Sequence, residues 1–387
     1  MKILYCSWGE VTRVDAYQAL TDMQHQVGLL DYEIKDYNRD PVFSRLFQQK
    51  LGEGEYELVF SFNFIPLIAK LALAAKIRYV SWIYDAMPLT LYSIMAFSPY
   101  NYIFTFDRKD CEELKRKGLL HVFHLPLGVN AKRSCNRAEG VRELSETQHD
   151  ITFIGNLYND GKNLFDSIHC LPDTVRNHMD SLILEQLKTP GNDRIREMTD
   201  DALTEELCKY VSIEISEEYT WTHKDIFLYM ILTKAAGVER LRLLDCLSER
   251  FDVALYTGSD SGKLPRVTNY GYVEYREKMP VVIANSKINL HITPRTITSG
   301  MSLRILDIMA SGGFLLSNAQ PELLEYFEEG KDFAAYRDEL DLVEKASYYL
   351  KHEEERRAIA ARGKWKTEKY FTYQNQFKKM FEIINSV

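Results

Sequence analysis

The first 130 residues alternate short apolar runs with stretches of helical periodicity, and this alternation constrains the fold more than any other feature. Such runs bury well as a parallel sheet whose faces are covered by the intervening helices. Strands are expected at 3–5, 27–32, 58–60, 79–84, 102–105 and 122–125, and helices near 13–24, 42–51, 65–76 and 108–117. Gly118 stands where a helix usually ends. Six strands joined by crossovers make a Rossmann-like sheet, whose ligands belong at the carboxyl ends of the strands.

From 131 to 150 the pattern dissolves into a polar stretch without a strand, expected to be a linker. A second α/β series starts at 151–154, is interrupted by a mostly helical insert at about 164–250, and resumes at 253–256, 270–273 and 288–292. The stretch 298–317 reads TSGMSLRILDIMASGGFLLS. It holds a small-residue turn at Ser299 and Gly300, a helix over 302–311, and a Gly-Gly break into an apolar strand at 314–316. From Asp338 onward the chain is helical, and its last helix, 373–384, could cross back onto the first domain. The expected organisation is a first domain at 1–130, a linker at 131–150, a second domain at 151–370 and a returning helix within 371–387.

With 387 residues there is room for two cores. The formal net charge of -8 argues against a nucleic-acid partner, which needs a basic surplus. No apolar run approaches the 18 or more residues of a spanning helix, and the N-terminal run reads as a strand and not a signal peptide. The six cysteines are scattered without metal-ligand spacing, which points to reduced thiols in the cytoplasm. There is no G-x-G-x-x-G after the first strand and no G-x-x-x-x-G-K-[ST], so dinucleotide oxidoreductases and P-loop enzymes lose their support. No D-x-D occurs either, so no metal and no resident cofactor is expected.

On the helix 302–311, Arg304, Asp307 and Ser311 fall at i, i+3 and i+7 and form one polar stripe. The stripe reads either as a solvated face or as a ligand contact. First-turn N–H groups behind small residues make an anion site. Ser302 to Asp307 spans roughly 7.5 Å, which suits a diphosphate at the helix start and a ribose at the carboxylate. Turns at 155–161, 271–273 and 293–300 fall on the same edge of a doubly wound sheet and can converge on one ligand. Lys162 and Arg304 are candidate phosphate partners, although a lysine after a glycine turn is commonly just solvated. Asp85 ends the apolar run RYVSWIYD and reads either as a general base toward an acceptor hydroxyl or as a turn residue before Pro88. His124 and His291, inside apolar strands, read as buried and hydrogen-bonded.

The residues from Ser302 to Tyr373 include the segments PELLEYFEEGKD, YRD and HEEERRAIAARG. This stretch resembles the C-terminal, donor-binding half of GT-B glycosyltransferases, and within them the CgeB-like group related to a spore-maturation protein. ERLRLLDCLSERFDVALYTGSD and NYGYVEYREKMPVVIANSKINLHIT resemble the same group. LVFSFNF, YVSWIYDAMP, NYIFTFDRKDCEELKRKG and HLPLGVN resemble the N-terminal domain that accompanies it.

The resemblance implies an α/β protein of GT-B architecture, two Rossmann-like domains facing a cleft, with a helical insert in the second. It places Asp307 on the donor ribose and the backbone N–H groups of Gly300, Met301 and Ser302 on the diphosphate. Gly155 and Asn156 line the same pocket, with Tyr158 in their turn and Thr293 opening the facing loop. The backbone of Tyr272 and Val273 faces the base. Ser299 stands where retaining members often carry a second glutamate, a departure from the pattern. The implied activity is metal-independent transfer of a sugar from a nucleoside diphosphate, UDP in the first instance, to a glycan or protein acceptor. Two other readings use the same architecture: an inactive binding or structural protein of a spore or envelope layer, and a non-hydrolysing epimerase.

Overall fold

The computed structural model describes residues 1–140, 148–159, 164–168, 170–188 and 193–387. It divides into two compact units, Met1–Asn130 with Ile215–Trp221 and Phe371–Val387, and Ala131–Glu214 with Thr222–Tyr370.

The first unit is built on strands β1 (Lys2–Ser7), β2 (Gln26–Asp31), β3 (Leu58–Phe62), β4 (Arg78–Ile83), β5 (Asn101–Thr105) and β6 (Val122–His124), each overlapping an expected strand. Helices α1 (Arg13–Asp22), α2 (Pro41–Gly52), α3 (Pro66–Ala75) and α4 (Arg108–Arg116) cross between them. The order is β2-β1-β3-β4-β5-β6, parallel throughout. Parallel pairing sends every carboxyl end to one edge. The order reverses between β1 and β3, which opens a crevice there. Asp40 caps α2 through the N–H groups of Val42 and Phe43, and Asp107 caps α4, as its position before Arg108 suggests. Gly118, at φ +92°, takes the left-handed conformation that closes the α4 end.

In the second unit, the stretch expected as a linker carries α5 (Ala131–Gly140), and β7 (His149–Ile154) already begins at His149. The insert follows with α6 (Leu164–Ser167), α7 (Asp173–Leu187), α8 (Asp193–Met198), α9 (Asp201–Cys208) and the 26-residue α10 (His223–Ser248), which a capping box at Thr222 and Asp225 starts. The rest runs β8 (Val253–Tyr256), β9 (Thr268–Asn269), α11 (Met279–Asn285), β10 (Ser286–His291), α12 (Leu303–Ala310), β11 (Leu315–Asn318), α13 (Pro321–Tyr326), β12 (Ala334–Tyr336), α14 (Glu339–Lys351) and α15 (Glu353–Tyr370). α16 (Tyr373–Ser386) groups with the first unit, where Tyr373 and Phe377 pack edge-on against Trp82.

The second sheet is parallel as well, in the order β12-β11-β10-β7-β8-β9. The strand expected at 270–273 is absent. Pairing stops at Asn269, and Gly271, at φ +79°, turns the chain away. The segment Ile215–Trp221, expected inside the second domain, groups with the first unit. There Tyr219 bridges Ser93 and its hydroxyl donates to Asn38 Oδ1 at 2.9 Å.

Candidate functional site

In the second unit the strand order leaves β7 in opposite directions on its two sides, so the crevice at the carboxyl ends of β7 and β10 is where a doubly wound sheet holds its ligand. Arg240 of α10 ties these two ends together. Its Nη1 donates to Asn156 O at 2.5 Å and its Nη2 to Ile292 O at 2.8 Å. The side chain is buried, flanked by the rings of Phe153 and Tyr158, and its Nε has no hydrogen-bond partner among the described residues. One turn earlier, a Cβ on Gly237 would stand 3.0 Å from the carbonyls of Leu157 and Tyr158, so α10 can approach the turn this closely only with glycine there.

The loop after β10, from His291 to Gly300, is buried throughout. Arg295 forms a buried two-point pair with Glu239, at 2.8 and 2.5 Å, and Arg196 of α8 donates to Thr298 Oγ1 at 2.9 Å. Thr293 donates its N–H to Asn318 Oδ1 at 2.8 Å, while its buried Oγ1 has no partner among the described residues. Three guanidinium groups are therefore built into the framework around this crevice. Glu239 neutralises one of them. The arrangement suits an anion.

The expected diphosphate contacts lie at the head of α12. Gly300 and Met301 are buried, and Ser302 is the N-cap residue. Its hydroxyl is paired with His291 Nε2 at 2.9 Å, so no side chain caps the first-turn N–H groups. Burial, then the Arg240 and Arg304 charges, hold His291 well below the ordinary histidine range and keep it neutral.

Asp307 is 2% exposed, accepts from Tyr275 Oη at 2.8 Å and pairs with Arg304 Nη1 at 3.1 Å. Arg304 also touches Met279 Sδ. In the polar stripe of α12, Asp307 and Ser311 therefore face protein, while Arg304 is half-buried. The stripe's carboxylate and guanidinium are engaged with each other.

Ser299 donates to Glu322 Oε1 at 2.8 Å, and Glu322 N returns to Ser299 O at 3.0 Å. The position without a glutamate thus has a buried one beside it, brought by α13. After β7, Gly155 and exposed Asn156 open the turn, and Asn156 Oδ1 accepts from Tyr158 N and from Ser259 Oγ at 3.3 Å. Tyr158 sits at φ +53°, strained for a residue with a side chain. Tyr272 is 74% exposed and Val273 buried. Lys162 lies outside the described residues. Arg240, Arg295, Glu239, Arg196 and Glu322 were not anticipated. Glu239 and Arg240 sit on α10, and only the topology brings them to the crevice.

In the first unit, Asp85 follows β4 and keeps solvent-accessible surface, yet crowding by protein raises its pKa, opposed by a 2.6 Å hydrogen bond from Asn63 Nδ2. Glu10, after β1, is buried and its pKa is raised by that burial. It accepts from Tyr5 Oη at 2.5 Å, Ser7 Oγ at 3.2 Å and Trp8 N at 3.0 Å. Trp8 stacks on Tyr84 with centroids 6.2 Å apart. Among the described residues, no group of three or more His, Cys, Asp or Glu is placed to hold a metal ion, and no helix is long and apolar enough to cross a membrane. All six cysteines are free thiols.

Two parallel six-stranded sheets flanked by helices define the class, the GT-B fold of glycosyltransferases. Residues 240–382 match the family described as glycosyl transferase-like. Solved structures agree over the full chain. The chain is similar to Alr3699/HepE of Anabaena, crystallised with UDP and glucose (TM-score 0.57, 11% identity, 100% of both chains covered). It is similar also to sucrose-phosphate synthase of Thermosynechococcus elongatus (TM-score 0.59, 10% identity, 100% of this chain and 98% of that one). A third is the UDP-forming α,α-trehalose-phosphate synthase of Burkholderia xenovorans (TM-score 0.53, 13% identity, 100% and 99%). No curated protein matches the sequence.

Proposed function

We propose that the chain transfers a sugar from a UDP-sugar to an acceptor hydroxyl without a metal, and that it belongs to the CgeB-like branch. The observation that carries this reading is the β7–β10 crevice, where Arg240 joins two strand ends beside the uncapped head of α12. Leaving-group charge is what such a transfer must stabilise, and preorganised N–H groups and guanidinium charge do so without reorganising. UDP is favoured because the neighbour Alr3699/HepE was crystallised with UDP and with UDP-glucose.

On the acceptor side, Asp85 serves as general base. As the acceptor oxygen bonds to the anomeric carbon, its proton passes to Asp85 and the bond from that carbon to the diphosphate oxygen breaks, the electron pair leaving with the diphosphate. The raised pKa of Asp85 improves its match to a hydroxyl proton. The free thiols favour a cytoplasmic setting.

Thermal unfolding with UDP, GDP, ADP and TDP tests the donor claim. A nucleotide at a hundred times its dissociation constant adds about 2.7 kcal/mol of stability. UDP should raise the midpoint most. If all four leave it unmoved, the inactive structural reading takes precedence.

A further inference from the structure

The end of β3 carries a residue whose side chain reaches across to the end of β4. Asn63 follows Phe62 and sits at φ +52°, in the left-handed region where a residue with a side chain is strained. Its amide is fully committed toward β4. Oδ1 accepts the N–H groups of Tyr84 at 3.1 Å and Asp85 at 3.3 Å, while Nδ2 donates to Asp85 Oδ2 at 2.6 Å. One side chain thus fixes both the backbone that presents Asp85 and one of its two carboxylate oxygens. Among the described residues, Asp85 Oδ1 has no hydrogen-bond partner and no cation is paired with the carboxylate.

We infer that Asn63 is the positioning residue for the base: it presents Asp85 with Oδ2 tied back and Oδ1 left to take the proton of the attacking hydroxyl. The inference rests on the reading of Asp85 given above. The tie has two consequences. It removes rotational freedom that the carboxylate of an exposed aspartate would otherwise keep. It also favours the ionised form, holding down a pKa that crowding pushes up, so the carboxylate remains a base at neutral pH. The groups that share this surroundings are acidic or phenolic. Tyr84 is in the same loop and Tyr37 follows β2, and both phenols are raised by burial and by the Asp85 and Glu10 carboxylates. None of these groups supplies a positive charge to Asp85; the Asn63 hydrogen bond is what opposes the rise that crowding causes.

Two substitutions separate the tie to the carboxylate from the tie to the backbone. Asn63→Gly adopts the left-handed conformation freely and removes both. Asn63→Asp keeps an acceptor for the Tyr84 and Asp85 N–H groups but sets a second carboxylate against Asp85. The first measurement follows the carboxyl carbon of Asp85 through a pH titration of the full chain labelled with ¹³C-aspartate, assigned by its loss in Asp85→Asn. Its pKa should rise by about one pH unit in Asn63→Gly and by more in Asn63→Asp. The second reads hydrolysis of UDP-glucose, with water standing in for the acceptor. Asn63→Gly should slow it about tenfold, with the acidic limb of the profile moved up in parallel with the carboxyl titration. Asp85→Asn hydrolysing at the wild-type rate would remove the base reading itself. A slow Asp85→Asn beside Asn63 variants with wild-type rate and profile would overturn only the role of Asn63. An Asp85 carboxyl that titrates alike in wild type and both variants overturns it as well, whether or not UDP-glucose is turned over.

Discussion

The two sheets share strand number, parallel pairing and a reversal of order, yet their carboxyl edges are lined differently. The second unit gathers guanidinium groups there: Arg240 across two strand ends, Arg295 on Glu239 and Arg196 on Thr298. The first gathers carboxylates and aromatic rings: Glu10, Asp85, Trp8 and Tyr84. One architecture thus supplies one edge suited to an anionic leaving group and another suited to taking a proton from a hydroxyl. The fold is the common part, and the division of labour lies in side chains at the strand ends.

This contrast breaks most sharply at Asp85. Asp85→Asn should lower sugar transfer by about 100- to 10,000-fold, as loss of a general base does, with UDP affinity kept. Parallel losses in rate and nucleotide affinity would move Asp85 out of the base role.

On the other edge, Arg240→Met leaves the Asn156 carbonyl and the buried Ile292 carbonyl without their donor. It should cost about 3 kcal/mol of stability by urea unfolding and weaken UDP binding together. A variant that loses stability alone would make Arg240 a brace without a share in the donor site.

Asp307 sharpens the comparison inside the second unit. Because it is buried between Tyr275 and Arg304, Asp307→Asn should lower stability by about 1–2 kcal/mol in the absence of any nucleotide. Unchanged stability with weaker UDP binding would restore the open ribose contact that its position suggests.

The smallest effect concerns His291. Its folded pKa is depressed, so the unfolded chain binds more protons below about pH 6.5, and stability present above that pH is lost as pH falls. His291→Gln should flatten part of the decline in urea midpoint between pH 7 and pH 5. An unchanged slope would assign the decline to other groups.

The first sheet was legible because its strands are compact apolar runs, most of them separated by helical stretches. β12 was not, since three residues carry too little periodicity. That the segments after β7 and β10 leave from one edge follows from the parallel pairing of those two strands. The stripe on α12 is left open by the sequence, because periodicity separates polar from apolar faces without saying what the polar face meets. Here it meets Tyr275 and Met279. Arg240 was hidden for a related reason: a buried guanidinium on a long helix looks like any solvated one until the carbonyls it serves, Asn156 and Ile292, are brought together by the fold.

Calorimetric titration of UDP into the wild type, Arg240→Met and Asp85→Asn tests the assignment of the two edges most directly. Saturable binding is expected to the wild type and to Asp85→Asn at equal affinity, with at least a tenfold loss, about 1.4 kcal/mol, in Arg240→Met. Binding that survives Arg240→Met and fails in Asp85→Asn, or no binding to the wild type at all, would contradict that assignment.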